Sequence, residues 1–130
     1  MRLIKNLFNN KKEPKEQKQL PWISLSHIEQ LTTIKLNSKT KTQLIFKHST
    51  RCGISRMVLN QFIDTYSFTE QHFDLYYLDL LNYRNLSDEV GYMFQVLHES
   101  PQLLIVKDEV VKAHASHGQI NSIVLSDFLK

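Results

Sequence analysis

The most informative part of this chain is Phe46-Lys47-His48-Ser49-Thr50-Arg51-Cys52-Gly53-Ile54-Ser55. It continues an apolar run, 42–46, whose consecutive large side chains are typical of a strand covered on both faces. The run leads into a short polar turn that holds Cys52, the only cysteine in the chain. A segment with apolar residues at helical spacing begins directly after the turn. The pattern predicts a thiol in the turn between a strand and the N-terminus of the following helix.

The position of Cys52 favours a reactive thiol. A helix N-terminus offers unpaired backbone N–H groups and the positive end of the helix dipole, and both favour the thiolate, which is the nucleophile. Arg51 adds a positive charge next to it in sequence. A buried cysteine that acts only as a small apolar side chain is the structural alternative. The neighbours Ser49, Thr50 and Gly53 are polar or small, which suits an exposed turn, so we predict a reactive Cys52.

Ser55 determines which reaction that thiol can carry out. A dithiol oxidoreductase needs a second cysteine three positions after the first, and this chain has a hydroxyl there. Serine can donate a hydrogen bond to a thiolate but cannot close a disulfide. A mixed disulfide formed at Cys52 must therefore be resolved by an external thiol. The sequence thus predicts monothiol exchange.

Composition limits the class of protein. With 130 residues, 42% hydrophobic and 22% charged, the chain is expected to form one globular domain. A single cysteine excludes an intrachain disulfide framework and a multi-cysteine zinc site. The chain has no run of about 18 apolar residues, so no membrane span is predicted. Residues 1–8 have too short an apolar stretch for a signal peptide. We expect a cytoplasmic protein, where a free thiol persists.

The net charge of +3 is unevenly distributed. Residues 1–18 hold Arg2 and five lysines against two glutamates, a net +4, so the remaining residues carry −1. We therefore predict a basic, flexible leader over 1–20 and one folded domain over 21–130. A nucleic-acid partner is not expected, because the net positive charge lies in the leader and the domain itself is nearly neutral. A membrane contact by the leader is also not expected, and the domain is predicted to be a monomer.

The remaining chain predicts alternating helices and strands. The elements follow the order β-α-β-α-β-β-α after an N-terminal helix, in an α/β structure with a central mixed sheet of about four strands. The predicted helices begin at Ser24 or Ser26, at Gly53, at Leu86 (through Leu97) and near Ile120. The buried stripe expected for the first helix consists of Ile28, Leu31, Ile34 and Leu36. The predicted strands are 42–48, 73–80, 102–106 and 110–115.

Three residues outside the cysteine turn are candidates for the same site. Pro101 stands between a helix and a strand, where it could be a cis residue in a tight turn or a trans residue that opens the strand. The strands 102–106 and 110–115 have the spacing of an antiparallel hairpin, and His117 and Gly118 end it. Gly118 is expected to supply a positive φ or a close backbone approach rather than a ligand contact. The other histidines have no ligand spacing with Cys52, so no metal site is predicted; they are His27, His48, His72, His98 and His114.

The residues around Cys52 also resemble a known family. The element order and the Ser100-Pro101 pair ahead of the hairpin are similar to the thioredoxin fold. The stretch 46–55, with Trp22 upstream and Gln102 downstream, resembles the YtxJ family of monothiol bacilliredoxins, whose signature has the form Phe-Lys-His-Ser-Thr-x-Cys-x-Ile-Ser. The similarity covers about 22–128. It implies reduction of protein–bacillithiol mixed disulfides in the cytoplasm, and a cis Pro101 that faces Cys52.

One feature departs from that signature. Gly53 makes the motif Cys-Gly-Ile-Ser, which is similar to the Cys-Gly-Phe-Ser of monothiol glutaredoxins. That resemblance implies an alternative function, a carrier that holds a [2Fe–2S] cluster between two subunits. The Gly-Gly pair of a glutaredoxin's glutathione site is absent, because this chain has the single glycine Gly118 in the corresponding segment. A thioredoxin-like binding module with an inert cysteine is the third hypothesis.

The predicted site combines these residues. Cys52 is the nucleophile, Arg51 and the helix N-terminus stabilise its thiolate, and Ser55 donates to it. The small-thiol groove is expected to be bordered by Thr50, Gly53, Ile54, Ser100, Pro101, His117 and Gly118. No cofactor is predicted apart from bacillithiol as co-substrate, and the expected partners are bacillithiol or a similar small thiol and bacillithiolated proteins.

Overall fold

The computed structural model describes residues 18–130. The basic leader therefore lies almost entirely outside the described residues, and the domain boundary near residue 20 stays a prediction. The described elements alternate between strands and helices, as predicted. They are β1 (Trp22–Ser24), α1 (Glu29–Asn37), β2 (Thr42–His48), α2 (Gly53–Thr65), β3 (Phe73–Asp79), α3 (Arg84–Phe94), β4 (Gln102–Lys107), β5 (Val110–Ser116) and two 3₁₀ turns, His117–Ser122 and Leu125–Phe128.

The five strands form one mixed sheet in the order β1-β3-β2-β4-β5. β3 runs parallel to both β1 and β2, while β4 runs antiparallel to β2 and to β5. β2 lies at the centre, and all seven of its residues are buried, as its continuous apolar run predicts. The α/β class is confirmed. The sheet has five strands rather than about four, because Trp22–Ser24 pairs with Leu75–Tyr77 of β3 and adds an edge strand.

Helices cover both faces of the sheet. On one face, α1 and α3 pack against the odd-numbered side of β2, in a core that includes Leu31, Ile45 and Val90. On the other face, α2 and the first 3₁₀ turn pack against the even-numbered side, in a core that includes Phe46, Phe62 and Ile120. The alternation of side chains along β2 thus sends Lys47 towards α3 and His48 towards α2.

The first helix starts later than predicted. Residues 22–24 are held in β1, so Ser24 cannot cap a helix, and α1 begins at Glu29. The side-chain oxygen Oε1 of Gln30 accepts hydrogen bonds from the backbone N–H groups of Ser26 and His27 at 2.8 and 2.9 Å, which closes the turn before the helix. The predicted buried stripe is half correct: Leu31 and Ile34 are buried, whereas Ile28 and Leu36 are exposed.

The third helix also ends earlier than predicted. It stops at Phe94, where Gln95 adopts a left-handed φ of 57°. The N–H groups of Gln95 and Val96 both bond to the carbonyl of Gly91. A Cβ at Gly91 would lie 2.9 Å from Val96 O. Glycine therefore lets the backbone of Val96 pack this closely against the last turn of the helix. Leu97, predicted as the end of this helix, lies beyond it and is 89% exposed.

The hairpin between β4 and β5 is confirmed, and the last predicted helix is wrong. Asp108 and Glu109 form the two-residue hairpin loop, both with positive φ, as primed hairpin turns require. After β5, the chain forms two 3₁₀ turns instead of an α-helix. No helix in residues 18–130 is long and apolar enough to cross a membrane.

The two isoleucines of the first helical region give a paired test of this fold. Ile34→Ala should lower the free energy of unfolding by about 2–5 kcal/mol, because it leaves a cavity in the core. Ile28→Ala should change it by no more than about 0.5 kcal/mol, because that side chain is exposed. Urea unfolding measures both. Equal losses in the two variants would contradict the placement of α1.

Candidate functional site

Cys52 occupies the turn between β2 and α2 and is the N-cap of that helix. Its thiol is free and half-buried. The turn is closed by backbone bonds on both sides of the residue: Cys52 N donates to Ser49 O at 3.2 Å, and Arg56 N donates to Cys52 O at 3.1 Å. The Cys52 side chain makes no capping hydrogen bond, so its sulfur is available to a reaction partner beside the start of the helix.

Ser55 has different partners from the one predicted. It is fully buried, and its Oγ accepts the N–H of Ser49 at 3.1 Å and lies 2.7 Å from His48 Nδ1. Both contacts are hydrogen bonds to the segment that precedes Cys52. Ser55 therefore holds the cysteine turn against the start of α2, which makes it a positioning residue, and its donation to the Cys52 thiolate stays a prediction.

His48 is a site residue that the sequence reasoning missed. Its ring is 2% exposed, bonds to Ser55 Oγ and packs on Tyr77 with ring centroids 5.7 Å apart. Burial lowers the pKa of His48 from its ordinary value of 6.5, although the carboxylate of Asp79 opposes that shift. The strand alternation offered a signal, because His48 falls on the same face as Phe46, the face that α2 covers.

The second wall of the site comes from the start of β4. The peptide bond between Ser100 and Pro101 is cis, as the resemblance implied, and Pro101 is buried. Lys47 pairs with Gln102 across the antiparallel strands, so Pro101 lies at the same edge of the sheet as the cysteine turn.

The third wall is the end of β5. His117 N donates to Pro101 O at 3.1 Å, so this segment continues the pairing between β5 and β4. The positive φ predicted for Gly118 belongs to His117 instead, with a φ of 55°. A Cβ added at Gly118 would meet nothing within 4 Å, so no close approach requires glycine there either. The prediction for the conformation of Gly118 was wrong.

The structure thus brings the three predicted segments to one edge of the sheet, around an exposed rim. The exposed members of that rim are Thr50, Arg51, Gly53, Ile54, His117 and Gly118. Within residues 18–130, no three histidine, cysteine or acidic side chains come together as a metal site. The arrangement suits attack by one thiolate on a disulfide that reaches it from solvent.

Comparison with known proteins assigns the chain to a family. A family model described as monothiol bacilliredoxin BrxC matches residues 23–125, which include every predicted site residue. The chain belongs to the monothiol bacilliredoxin family. Membership agrees with the single cysteine and gives the protein a thiol redox function.

Solved structures give the same fold for this bacilliredoxin. A protein described as a candidate oxidoreductase with a thioredoxin fold is 32% identical, with a TM-score of 0.68 over 82% of this chain and 92% of the other. Thioredoxin of Malassezia sympodialis is 13% identical, with a TM-score of 0.65 over 90% and 97% of the two chains. Thioredoxin O2 of Arabidopsis thaliana is 17% identical, with a TM-score of 0.61 over 88% and 100%. The last two similarities show the fold alone.

The contacts of Ser55 predict the effect of its removal from the bacilliredoxin. Ser55→Ala leaves Ser49 N–H and His48 Nδ1 without a buried partner, which should lower the free energy of unfolding by about 1–3 kcal/mol. Ser67→Ala, at an exposed position, should be close to neutral. Urea unfolding of both variants makes the measurement, and a neutral Ser55→Ala would contradict the role of this hydroxyl.

The lowered pKa of His48 predicts a dependence of stability on pH. The unfolded chain takes up a proton at this residue at a higher pH than the folded chain does, so the free energy of unfolding should fall as the pH drops below about 6.5. Above that pH the contribution is fully present. Unfolding at about pH 7.5 and about pH 5.5 measures the loss, which should be smaller in His48→Asn than in the wild type. An equal loss in both proteins would contradict the assignment.

Proposed function

We propose that this protein reduces mixed disulfides between protein cysteines and bacillithiol in the cytoplasm. The observation that carries the proposal is the free, half-buried Cys52 at the N-cap of α2, in a chain that has no other cysteine. Family membership supports the same substrate class. The protein then acts as a monothiol oxidoreductase.

The first step is a thiolate–disulfide exchange. The Cys52 thiolate attacks the bacillithiol sulfur of a protein–S–S–bacillithiol adduct. A bond forms between Cys52 and bacillithiol, the original S–S bond breaks, and the client leaves as a thiolate that takes a proton from solvent. The attacking sulfur lies at the N-cap of α2, beside the positive end of the helix dipole, and we propose that this dipole and the neighbouring residue Arg51 stabilise the negative charge of the thiolate during the attack.

The second step needs a thiol from outside the chain. Ser55 occupies the position of a resolving cysteine but cannot form a disulfide, and its hydroxyl is hydrogen-bonded to Ser49 and His48. A second bacillithiol thiolate attacks the Cys52–bacillithiol disulfide, releases Cys52 as a thiolate and leaves as the bacillithiol disulfide. Bacillithiol is therefore both the group removed and the reductant.

The backbone beside Pro101 limits how the adduct is bound. Pro101 has no N–H, and its carbonyl already accepts His117 N. Ser100 is therefore the nearest residue of this wall with a backbone N–H to offer. We propose that the bound thiol lies between Ser100 and the cysteine turn, with Ile54 and His117 at its sides.

The reaction can be tested with a client that carries bacillithiol on a single exposed cysteine. With excess bacillithiol, the wild type should release the client thiol faster than bacillithiol alone does. Cys52→Ser, which keeps the size of the side chain but lacks the nucleophile, should release it at the rate measured without protein. Equal rates for the wild type and Cys52→Ser would contradict the proposal.

A further inference from the structure

Lys47 is a charged residue in the middle of the sheet that the proposed reaction does not use. It follows three buried apolar residues of β2, and its side chain is 0% exposed. In residues 18–130 it has no carboxylate within 4 Å. Burial of an ammonium group without a counterion is costly, whereas a methionine of similar length would fit an apolar strand at little cost. A lysine here therefore needs an explanation other than stability.

Lys47 contacts both α3 and the segment that precedes Pro101. Its Nζ donates to Ser87 O on α3 at 3.3 Å and lies 3.5 Å from His98 Nδ1. Ser87 Oγ lies 3.1 Å from the same imidazole nitrogen. The amine thus lies between a helix carbonyl and a ring that stands three residues before Pro101.

The protonation states of this cluster fit one arrangement. An ammonium group has no lone pair, so His98 Nδ1 must be the acceptor and carry no proton. Burial and the positive charge of Lys47 both lower the pKa of His98, which favours that neutral ring. Burial lowers the pKa of Lys47 to about 8, with Asp88 opposing and Arg84 adding to the shift, so the amine is still largely charged at neutral pH.

A second contact ties the same segment to the sheet. Gln102 is the cross-strand partner of Lys47 and is fully buried. Its Nε2 donates to Leu97 O at 2.9 Å, while its Oε1 has no partner among the described residues. Leu97 and His98 are therefore both held by side chains, those of Gln102 and Lys47, that neighbour one another on β4 and β2.

We propose that Lys47 is a positioning residue, which holds His98 and thereby fixes the 97–101 wall of the small-thiol groove. The proposal rests on the proposed function for its effect on activity. It differs from the contribution of His48, which acts on the cysteine turn from the opposite face of the sheet. The two adjacent residues of β2 thus act on two different parts of the site: His48 on the cysteine turn and Lys47 on residues 97–101.

The proposal predicts a selective loss of substrate binding. Lys47→Met should raise the KM for the bacillithiolated client by about tenfold and change kcat by less than about twofold, because the wall is displaced and the thiol is not. The rate of alkylation of Cys52 by iodoacetamide, a reagent that needs no groove, should stay within about twofold of the wild type. Lys107→Met is the matched control, since that lysine also bonds one carbonyl, Leu129 O, but at the far end of β4.

His98 provides a second pair of variants, which keeps the test valid if Lys47→Met does not fold. His98→Leu removes the acceptor and should reproduce the rise in KM, whereas His98→Gln keeps an acceptor and should largely retain the wild-type KM. The Lys47→Met, His98→Leu double variant should be no worse than the single variants, because both remove one contact. Additive losses, or an equal KM in His98→Leu and His98→Gln, would overturn the proposal.

Amide hydrogen exchange gives a readout that is independent of activity. Exchange at residues 97–100 should become faster in Lys47→Met and His98→Leu and stay unchanged in Lys107→Met. Unchanged exchange in Lys47→Met and His98→Leu would overturn the role of Lys47. A wild type that releases no client would contradict the proposed function instead, while the exchange measurement would still decide whether Lys47 holds this wall.

Discussion

The site depends on the burial of β2 between two neighbouring strands. This strand pairs with β3 on one side and β4 on the other, and helices cover both of its faces. Its last two residues, Lys47 and His48, are polar, and burial leaves them no water as a partner. Each must therefore bond to whatever covers its own face. His48 bonds to Ser55 at the start of α2, and Lys47 lies against Ser87 and His98 on the α3 side.

These contacts explain how a short exposed turn can hold a thiol in one place. The Cys52 turn is joined to α2 by backbone bonds and to the end of β2 through Ser55. The facing wall is anchored by the His117 N–Pro101 O bond. The rim side chains remain exposed, so a disulfide on a large client can reach the sulfur. In the proposed reaction, a single cysteine means that the product of the first exchange persists until another thiol arrives, which would couple the protein to its small-thiol pool.

The sequence predicted the parts of this structure that local pattern controls. The apolar run of β2, the helical spacing after Cys52 and the polar residues 107–109 between two strand patterns each led to the observed element. The cis Pro101 followed from resemblance alone. β1 was missed because three residues form a strand only through pairing with β3, which no local pattern reveals. The contacts of Ser55 with Ser49 and His48 were missed and the positive φ of His117 was assigned to Gly118, because the partner of a hydroxyl and the sign of a φ angle depend on tertiary packing.

The most direct measurement of the central claim is the identity of the disulfide on Cys52 after one turnover. The wild type is mixed with a bacillithiolated client in the absence of free bacillithiol, quenched with acid and analysed by peptide mass spectrometry. Attack on the small-thiol sulfur predicts bacillithiol on the Cys52 peptide and a free client thiol. A disulfide between Cys52 and the client peptide, or an unmodified Cys52 beside an intact client adduct, would contradict the account.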